Sequence, residues 1–365
     1  MVRLVYFLPL IVMFVASCQP DPEKLLERAK NHLEQHAYIS YAHTALWPNM
    51  ISEIDTIAGV TKFQKNKNIY FDYDYIGLRD IVDITYINND FKIITHEDSI
   101  VTVYSEEDIE KNKRLIEESM FITFSPISFL KQTAWKFKPD TTGNSKRYNY
   151  FLVETDTVFD GKNIYVENHI FINPRSLLLE QYERRAFVDG EKSQFITYYF
   201  TDYELRKDTK DFAYALPEGY VTQIAGKKEK IRPLTEGTNA PGFETTDMSG
   251  KPVNLSSFKG QKVLLNFSII NCGWCKTALD HFNREDFQLS ENINVLYINP
   301  VDSKAQVEKY VEKFHVPFPV IAEAKAVGES YRVNGYPTFY LIDEEGKIEK
   351  VQSGYQKDFI NSLGR

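Results

Sequence analysis

Asn271-Cys272-Gly273-Trp274-Cys275 follows the apolar run Lys262-Val263-Leu264-Leu265-Asn266-Phe267 and leads into a stretch, up to Phe282, that can be helical. A short apolar run bounded by turn signals reads as a buried strand. A Cys-x-x-Cys placed between such a strand and a helix is a redox signature. Beyond this stretch, residues 293–298 predict a second strand and 303–314 a helix. Residues 339–342 predict a further strand, and 343–346 a turn into its hairpin partner at 348–351. That order predicts a βαβ unit joined to an antiparallel hairpin.

The spacing of the two cysteines suits dithiol chemistry. Cys272 is expected in the first turn of the helix, where unsatisfied N–H groups and the helix dipole favour a thiolate. It is the expected nucleophile, with Asn271 as the expected helix cap. Cys275, three residues on and one turn inward, is placed to attack a mixed disulfide at Cys272 and release the substrate.

At 365 residues the chain is too long for one ordinary core, and two domains are expected. A net charge of −8 removes the electrostatic basis for nucleic-acid binding. Arg3, the apolar residues 4–15 and small Ala16-Ser17 read as a secretory signal. The apolar run falls short of the roughly 20 residues that a membrane-spanning helix needs. Val15-Ala16-Ser17-Cys18 resembles the lipobox of bacterial lipoproteins, which implies removal of residues 1–17 and lipidation of Cys18. Acyl chains there would hold the protein at a membrane surface. With Cys18 so assigned, Cys272 and Cys275 are the remaining thiols, and a disulfide scaffold is excluded.

Residues 18–36 are expected to hold the anchor, a tether and a first amphipathic helix, with Leu25, Leu26, Ala29 and Leu33 on one face. Residues 37–224 are rich in Tyr, Phe, Ile, Val and Thr and predict an antiparallel β-rich domain. Strands are expected at 69–75, 81–87, 91–94, 148–153, 164–172 and 195–200. Asn88-Asn89-Asp90, Asp160-Gly161 and Asp189-Gly190 are expected hairpin turns. One helix is expected over 106–120, with Ile109, Leu115 and Ile116 as its apolar positions. The charged stretch 225–238, with Lys227, Lys228, Lys230 and Arg232, reads as a linker, and 239–365 as the second domain. The first domain resembles the LolA-type sheet, a curved half-barrel around an apolar cavity, on segments such as Ile170-Phe171-Ile172-Asn173-Pro174-Arg175. That resemblance implies an apolar ligand. Aromatic residues that merely fill a core are the plainer reading.

The second domain resembles the thioredoxin-like fold, and within it the membrane-tethered TlpA-like thiol-disulfide oxidoreductases, over residues 237–364. The landmarks are Ala240-Pro241-Gly242-Phe243, Leu255-Ser256-Ser257-Phe258-Lys259-Gly260, the Cys-x-x-Cys, and Gly335-Tyr336-Pro337-Thr338 ahead of Phe339-Tyr340-Leu341-Ile342-Asp343. The resemblance implies a cis Pro337 against the two cysteines and substrate contacts from Tyr336, Pro337, Gly273 and Trp274. It implies a redox-active Cys272–Cys275 disulfide with no further cofactor, acting as a reductase. Its expected partners are disulfide-containing proteins of the cell envelope and a membrane electron donor, with a location on the periplasmic side of a bacterial membrane. Two positions depart from the family pattern. Asn266 stands where thioredoxin has a buried Asp, and Ala278 where relatives often carry Glu. Asp280 and His281, on the next turn, are expected to face solvent.

Rival chemistries fit less well. Structural zinc needs about four ligands, whereas the second domain offers, beside the cysteine pair, only the histidines His281 and the distant His315, so no metal is expected. A thiol peroxidase motif would need Thr and Pro where Ile269 and Leu265 stand. The alternative from another class is a lipid- or ligand-binding lipoprotein whose sheet domain is the working part.

Overall fold

The computed structural model describes residues 21–365 except 70, 112, 140–146, 160, 210 and 227–231. The expectations for Arg3, residues 4–15 and Cys18, and for the linker lysines 227, 228 and 230, lie outside the described residues. The chain divides into two compact units, one of residues up to Trp47 with Thr56–Ala225, the other of Pro48–Asp55 with Gly226–Arg365.

The first unit opens with helix α1 (Pro22–Glu34). Asp21 caps it by accepting the Glu23 N–H at 3.1 Å, Pro22 takes a position that needs no N–H, and Leu25, Ala29 and Leu33 form its buried stripe. Strands β1 (Tyr38–Pro48), β2 (Ile54–Lys65), β3 (Tyr73–Arg79), β4 (Val82–Ile87), β5 (Asp90–Thr95) and β6 (Ile100–Tyr104) follow. After four short helices come β7 (Lys136–Lys138), β8 (Tyr148–Phe159), β9 (Lys162–Ile172), β10 (Leu179–Val188), β11 (Glu191–Arg206) and β12 (Val221–Ile224). Among the described residues these make one twelve-stranded sheet, ordered β12-β6-β5-β4-β3-β2-β1-β11-β10-β9-β8-β7. Pairing of β1 with β11 joins the early strands to the late ones, from Tyr38 opposite Arg206 to Leu46 opposite Thr197. The hairpin turns have the predicted backbone, with positive φ at Asn88 and Asn89 and at Asp189 and Gly190.

Three expectations change. The sheet is not wholly antiparallel, because β12 runs parallel to β6. Strand 69–75 begins only at Tyr73. The amides of Asn66 and Asn68 and the Asn88 N–H converge on buried Asp74, making the approach a polar turn that leaves Ile69 exposed. The helix expected over 106–120 is broken into α2 (Glu106–Lys111), α3 (Arg114–Glu117) and α4 (Met120–Thr123), followed by α5 (Pro126–Lys131). Ser125 restarts the chain there by accepting the Ser128 N–H at 3.1 Å, and Pro126 forbids continuation from the preceding turn. Ile109 and Ile116 are buried, but Leu115 is exposed. These helices pack on the aromatic face of the sheet, where Phe129 stacks on Tyr182 at 4.1 Å and Phe124 on Tyr198 at 4.8 Å.

The second unit has a small hairpin of β13 (Glu244–Thr246) and β14 (Pro252–Asn254), then β15 (Lys262–Phe267), α6 (Gly273–Phe282), β16 (Ile293–Ile298), α7 (Lys304–Lys313), β17 (Val320–Ile321), α8 (Lys325–Ser330), β18 (Thr338–Ile342), β19 (Ile348–Ser353) and α9 (Lys357–Ser362). Its main sheet is ordered β17-β16-β15-β18-β19, parallel from β17 to β15 and antiparallel from there to β19. Apolar clusters lie on both faces. The boundary expected at 238/239 moves. Gly237 N–H already donates to the Ile348 carbonyl at 2.7 Å, so the end of the linker is an added edge of β19. Residues 48–55, expected in the first domain, belong to the second unit because Ile51 is buried among Ile270, Leu279, Tyr297, Val307, Tyr310 and Val320.

Candidate active site

Strand β15 is buried from Val263 onward and delivers the chain to the site. The turn that follows is fixed by side chains. Ser268 Oγ donates to Asn266 Oδ1 at 2.7 Å, and the Ile270 N–H donates to Asp302 Oδ2 at 2.8 Å. Asp302 Oδ2 also accepts from the Asn299 amide at 2.8 Å.

The cap of α6 differs from the expectation. Cys272 itself is the cap, with an extended backbone (φ −120°, ψ 110°), and its Sγ accepts the Cys275 N–H at 3.1 Å. Asn271 is turned aside, its Oδ1 accepting the Met50 N–H at 3.1 Å. A sulfur at that cap draws directly on the positive end of the helix, and negative charge on Sγ is favoured there. Cys272 and Cys275 are joined as a disulfide, with Cα atoms 5.2 Å apart. Cys275 is 1% exposed, whereas Cys272 is half-buried, so only Cys272 can be reached from solvent.

The structure brings Cys272, Cys275, Tyr336 and Pro337 together. The Tyr336–Pro337 peptide is cis, and the Tyr336 carbonyl oxygen lies 3.6 Å from Cys272 Sγ. Burial, then the Asp302 charge, push the Tyr336 phenol up. Gly273 and Trp274 are exposed on the outer side of the disulfide.

Residues that the motif did not indicate complete the rim. The Gly354 N–H donates to the Pro337 carbonyl at 2.8 Å, and the Tyr355 ring stacks on Trp274. His281 was expected to face solvent but is 3% exposed. Its Nδ1 lies 3.1 Å from the Tyr355 hydroxyl and its Nε2 3.0 Å from Asn361 Oδ1, partners that α9 and the loop before it bring into place. Burial holds the His281 pKa below the ordinary histidine value. Asp280 is exposed and paired with Lys276. Ala278 is fully buried in the cluster of Leu264, Phe282, Val295 and Phe339, so that position holds a core methyl group in place of an acid. Asn266 is fully buried, and its Nδ2 has no hydrogen-bond partner among the described residues. A terminal glycine and tyrosine after a hairpin strand carry no recognisable signal. Met50, 221 residues from Asn271, carries none either.

Among the described residues no group of three or more His, Cys, Asp or Glu side chains is placed to hold a metal ion. No described helix is long and apolar enough to cross a membrane.

The AhpC/TSA family model matches residues 237–351, wholly within the second unit. Thiol-disulfide oxidoreductase ResA of Bacillus subtilis is 34% identical over 137 residues, 37% of this chain and 74% of that protein. The thioredoxin-like protein YneN of the same organism is 30% identical over 124 residues, 33% of this chain and 73% of that protein. The thioredoxin domain of a thiol-disulfide oxidoreductase from Bacteroides vulgatus aligns with a TM-score of 0.31 and 26% identity, covering 36% of this chain and 96% of that one. The match to ResA extends over about three quarters of that protein's length, and the residues matched by the family model include Cys272 and Cys275. Through its carboxy-terminal, thioredoxin-like domain, the chain belongs to the TlpA/ResA-like thiol-disulfide oxidoreductases.

Proposed function

We propose that the protein is a lipid-anchored reductase of disulfides in the cell envelope, with Cys272 as nucleophile and Cys275 as resolving thiol. The observation that carries the assignment of roles is the asymmetry of the pair. Cys272 Sγ caps α6 at solvent's edge, 3.1 Å from the Cys275 N–H, whereas Cys275 is buried behind it. In the reduced protein, the Cys272 thiolate attacks one sulfur of a substrate disulfide and expels the other as a thiolate. The Cys275 thiolate then attacks Cys272 Sγ of the mixed disulfide, releasing the second substrate thiolate and closing the Cys272–Cys275 bond. Two electrons pass to the substrate, and two protons accompany them. A dithiol donor on the membrane would restore the pair, because an oxidising compartment offers no thiol pool. The disulfide is itself the redox centre, and Tyr336, Pro337, Gly273 and Trp274 are the surface a substrate peptide meets.

Anchoring through Cys18, a signal at 1–17 and a periplasmic location rest on the lipobox-like Val15-Ala16-Ser17-Cys18. A second reading gives the working role to the β-rich unit as a LolA-like half-barrel that binds an apolar ligand. The wide sheet with helices on one face favours it, and the stacked Phe129–Tyr182 and Phe124–Tyr198 pairs within that face speak against an open cavity.

The test is exchange with a polypeptide disulfide. Cys272→Ser is expected to abolish it, and Cys275→Ser to accumulate mixed disulfides at Cys272. Retention of full exchange by the double variant, with copurifying lipid in the β-rich unit, would favour the second reading. A reduction potential as high as about −120 mV would overturn the direction assigned.

A further inference from the structure

Asn271 has the side chain that ordinarily caps a helix, directly before the cysteine motif, yet its oxygen is committed elsewhere. The Met50 N–H donates to Asn271 Oδ1 at 3.1 Å. The tip carrying Met50 is firmly built into the second unit. Ile51 is 7% exposed within the cluster that includes Ile270, Leu279 and Tyr310. Lys313 Nζ donates to the Met50 carbonyl at 2.8 Å and to Ser52 Oγ at 2.7 Å, and Lys309 pairs with Glu53. Within the tip, Asn49 Oδ1 accepts the Glu53 N–H at 2.9 Å, and Ser52 takes the left-handed backbone (φ 65°) that closes the turn.

We propose that Met50 is a positioning residue for the nucleophile: its N–H holds the Asn271 carboxamide off the start of α6 and so reserves the helix N-terminus for the Cys272 sulfur. The proposal rests on Cys272 being the nucleophile. An asparagine freed at this point competes for the same role, because Asn is among the strongest capping residues. Were Asn271 to cap, the helix would begin one residue earlier and its oxygen would accept the N–H of Gly273 or Trp274. Cys272 would move from the cap into the first helical position, where Sγ no longer accepts the Cys275 N–H. A charge-assisted N–H···S bond would be lost, and with it part of what favours the thiolate. Ordering the chain before Cys272 thus sets its nucleophilicity through an amide that never touches the substrate.

The experiment measures the pH dependence of iodoacetamide alkylation of Cys272, read on the peptide that carries it, in the full reduced chain. Met50→Pro removes the donor. It is expected to raise the Cys272 pKa so that alkylation below that pKa slows about three- to tenfold. Asn271→Ala removes the competing cap, so that variant alone stays within about twofold of the wild type, and Met50→Pro with Asn271→Ala returns to the Asn271→Ala value. Ile51→Ala, which loosens the same tip and keeps the N–H, shifts the rate in the same direction by less. It is the deciding variant if Met50→Pro does not fold. No shift in Met50→Pro or in Ile51→Ala, or a shift that persists in the Asn271→Ala background, overturns the proposal. Alkylation needs no disulfide substrate, so persistence of exchange in Cys272→Ser would remove the assigned nucleophile while leaving this coupling measurable.

Discussion

The indole of Trp274 lies over the phenol ring of Tyr355, with ring centres 6.2 Å apart and planes 14° from parallel. Trp274 is 58% exposed, so one face of the pair remains open beside Cys272. Tyr355 is steadied by His281, and its neighbour Gly354 holds the Pro337 carbonyl, which ties the ring pair to the loop facing the sulfur. A flat apolar contact of this kind contributes about 1 kcal/mol to a bound aromatic or aliphatic group. Tyr355→Ala is expected to raise KM for a peptide disulfide about fivefold, while kcat stays within about twofold. Steady-state kinetics with peptide and small-molecule disulfides separate the two. Equal losses on both substrates would mean that Tyr355 supports the cysteines and does not meet the peptide.

Asn266 offers a second test, because a carboxylate placed there would have no water around it. The side chain is fully buried, Ser268 Oγ donates to its oxygen, and its Nδ2 has no partner among the described residues. In Asn266→Asp, burial would raise the carboxyl pKa above its unfolded value near 3.9. The charge penalty is then absent below that pH and grows as pH rises through the folded pKa. A loss of about 2–4 kcal/mol relative to wild type is expected at pH 8, with most of it regained at pH 4.5. Denaturant midpoints at both pH values check this. A cost independent of pH would mean that shape, and not charge, is what the site rejects.

Much of the second unit was legible because its signals are local. Strand β15, helix α6 and the two cysteines lie within 21 consecutive residues, and apolar periodicity is enough to place them. The cap of α6 is not legible in the sequence, for the opposite reason. Asn271 has the right chemistry for it, but its partner is a backbone N–H 221 residues away, and the local preference gives way to that contact. His281 reads as polar beside Asp280, yet Tyr355 and Asn361 satisfy both ring nitrogens, and the ring can therefore be buried. In the first unit the turn chemistry at Asn88-Asn89 and Asp189-Gly190 was readable, whereas the break in the 106–120 helix was not. Leu115 fits a helical apolar stripe, yet it is exposed, whereas Ile109 and Ile116 are buried.

The first unit should lose stability in acid through His43. This ring is 5% exposed, with Nδ1 3.4 Å from Thr61 Oγ1 and Nε2 without a hydrogen-bond partner among the described residues. Burial, reinforced by the Arg79 charge, brings its pKa down to about 4. Between the unfolded value near 6.5 and about 4, the unfolded chain takes up a proton that the folded one refuses. The stability is therefore complete above pH 6.5 and is lost as pH falls towards 4, by about 3 kcal/mol for a difference of roughly 2.5 units. His169, in the same unit, is also held low by burial and acts in the same direction. Urea unfolding at pH 7 and pH 4.5 should show a smaller drop in His43→Gln than in wild type. Identical drops would mean that His43 is already protonated in the folded state.

Gly77 is the place where the sheet and the helices meet without room for a side chain. It pairs with Thr61 across β2 and β3, and a Cβ there would lie 2.4–2.5 Å from ring atoms of Phe121. Phe121 in turn packs edge-on to His43, with the Arg79 guanidinium 4.6 Å above its ring. The methyl group of Gly77→Ala cannot be absorbed by a flexible chain end, because the ring is held on both sides. Displacing it is expected to cost about 1–3 kcal/mol. Phe121→Leu alone should also be destabilising, through lost contact. Combined with Gly77→Ala, however, the narrower side chain makes room for the methyl group, so the two losses should sum to more than the double variant shows. Thermal or urea unfolding of the four proteins gives the coupling directly, and simple additivity would mean that Phe121 moves away from Gly77 at no cost.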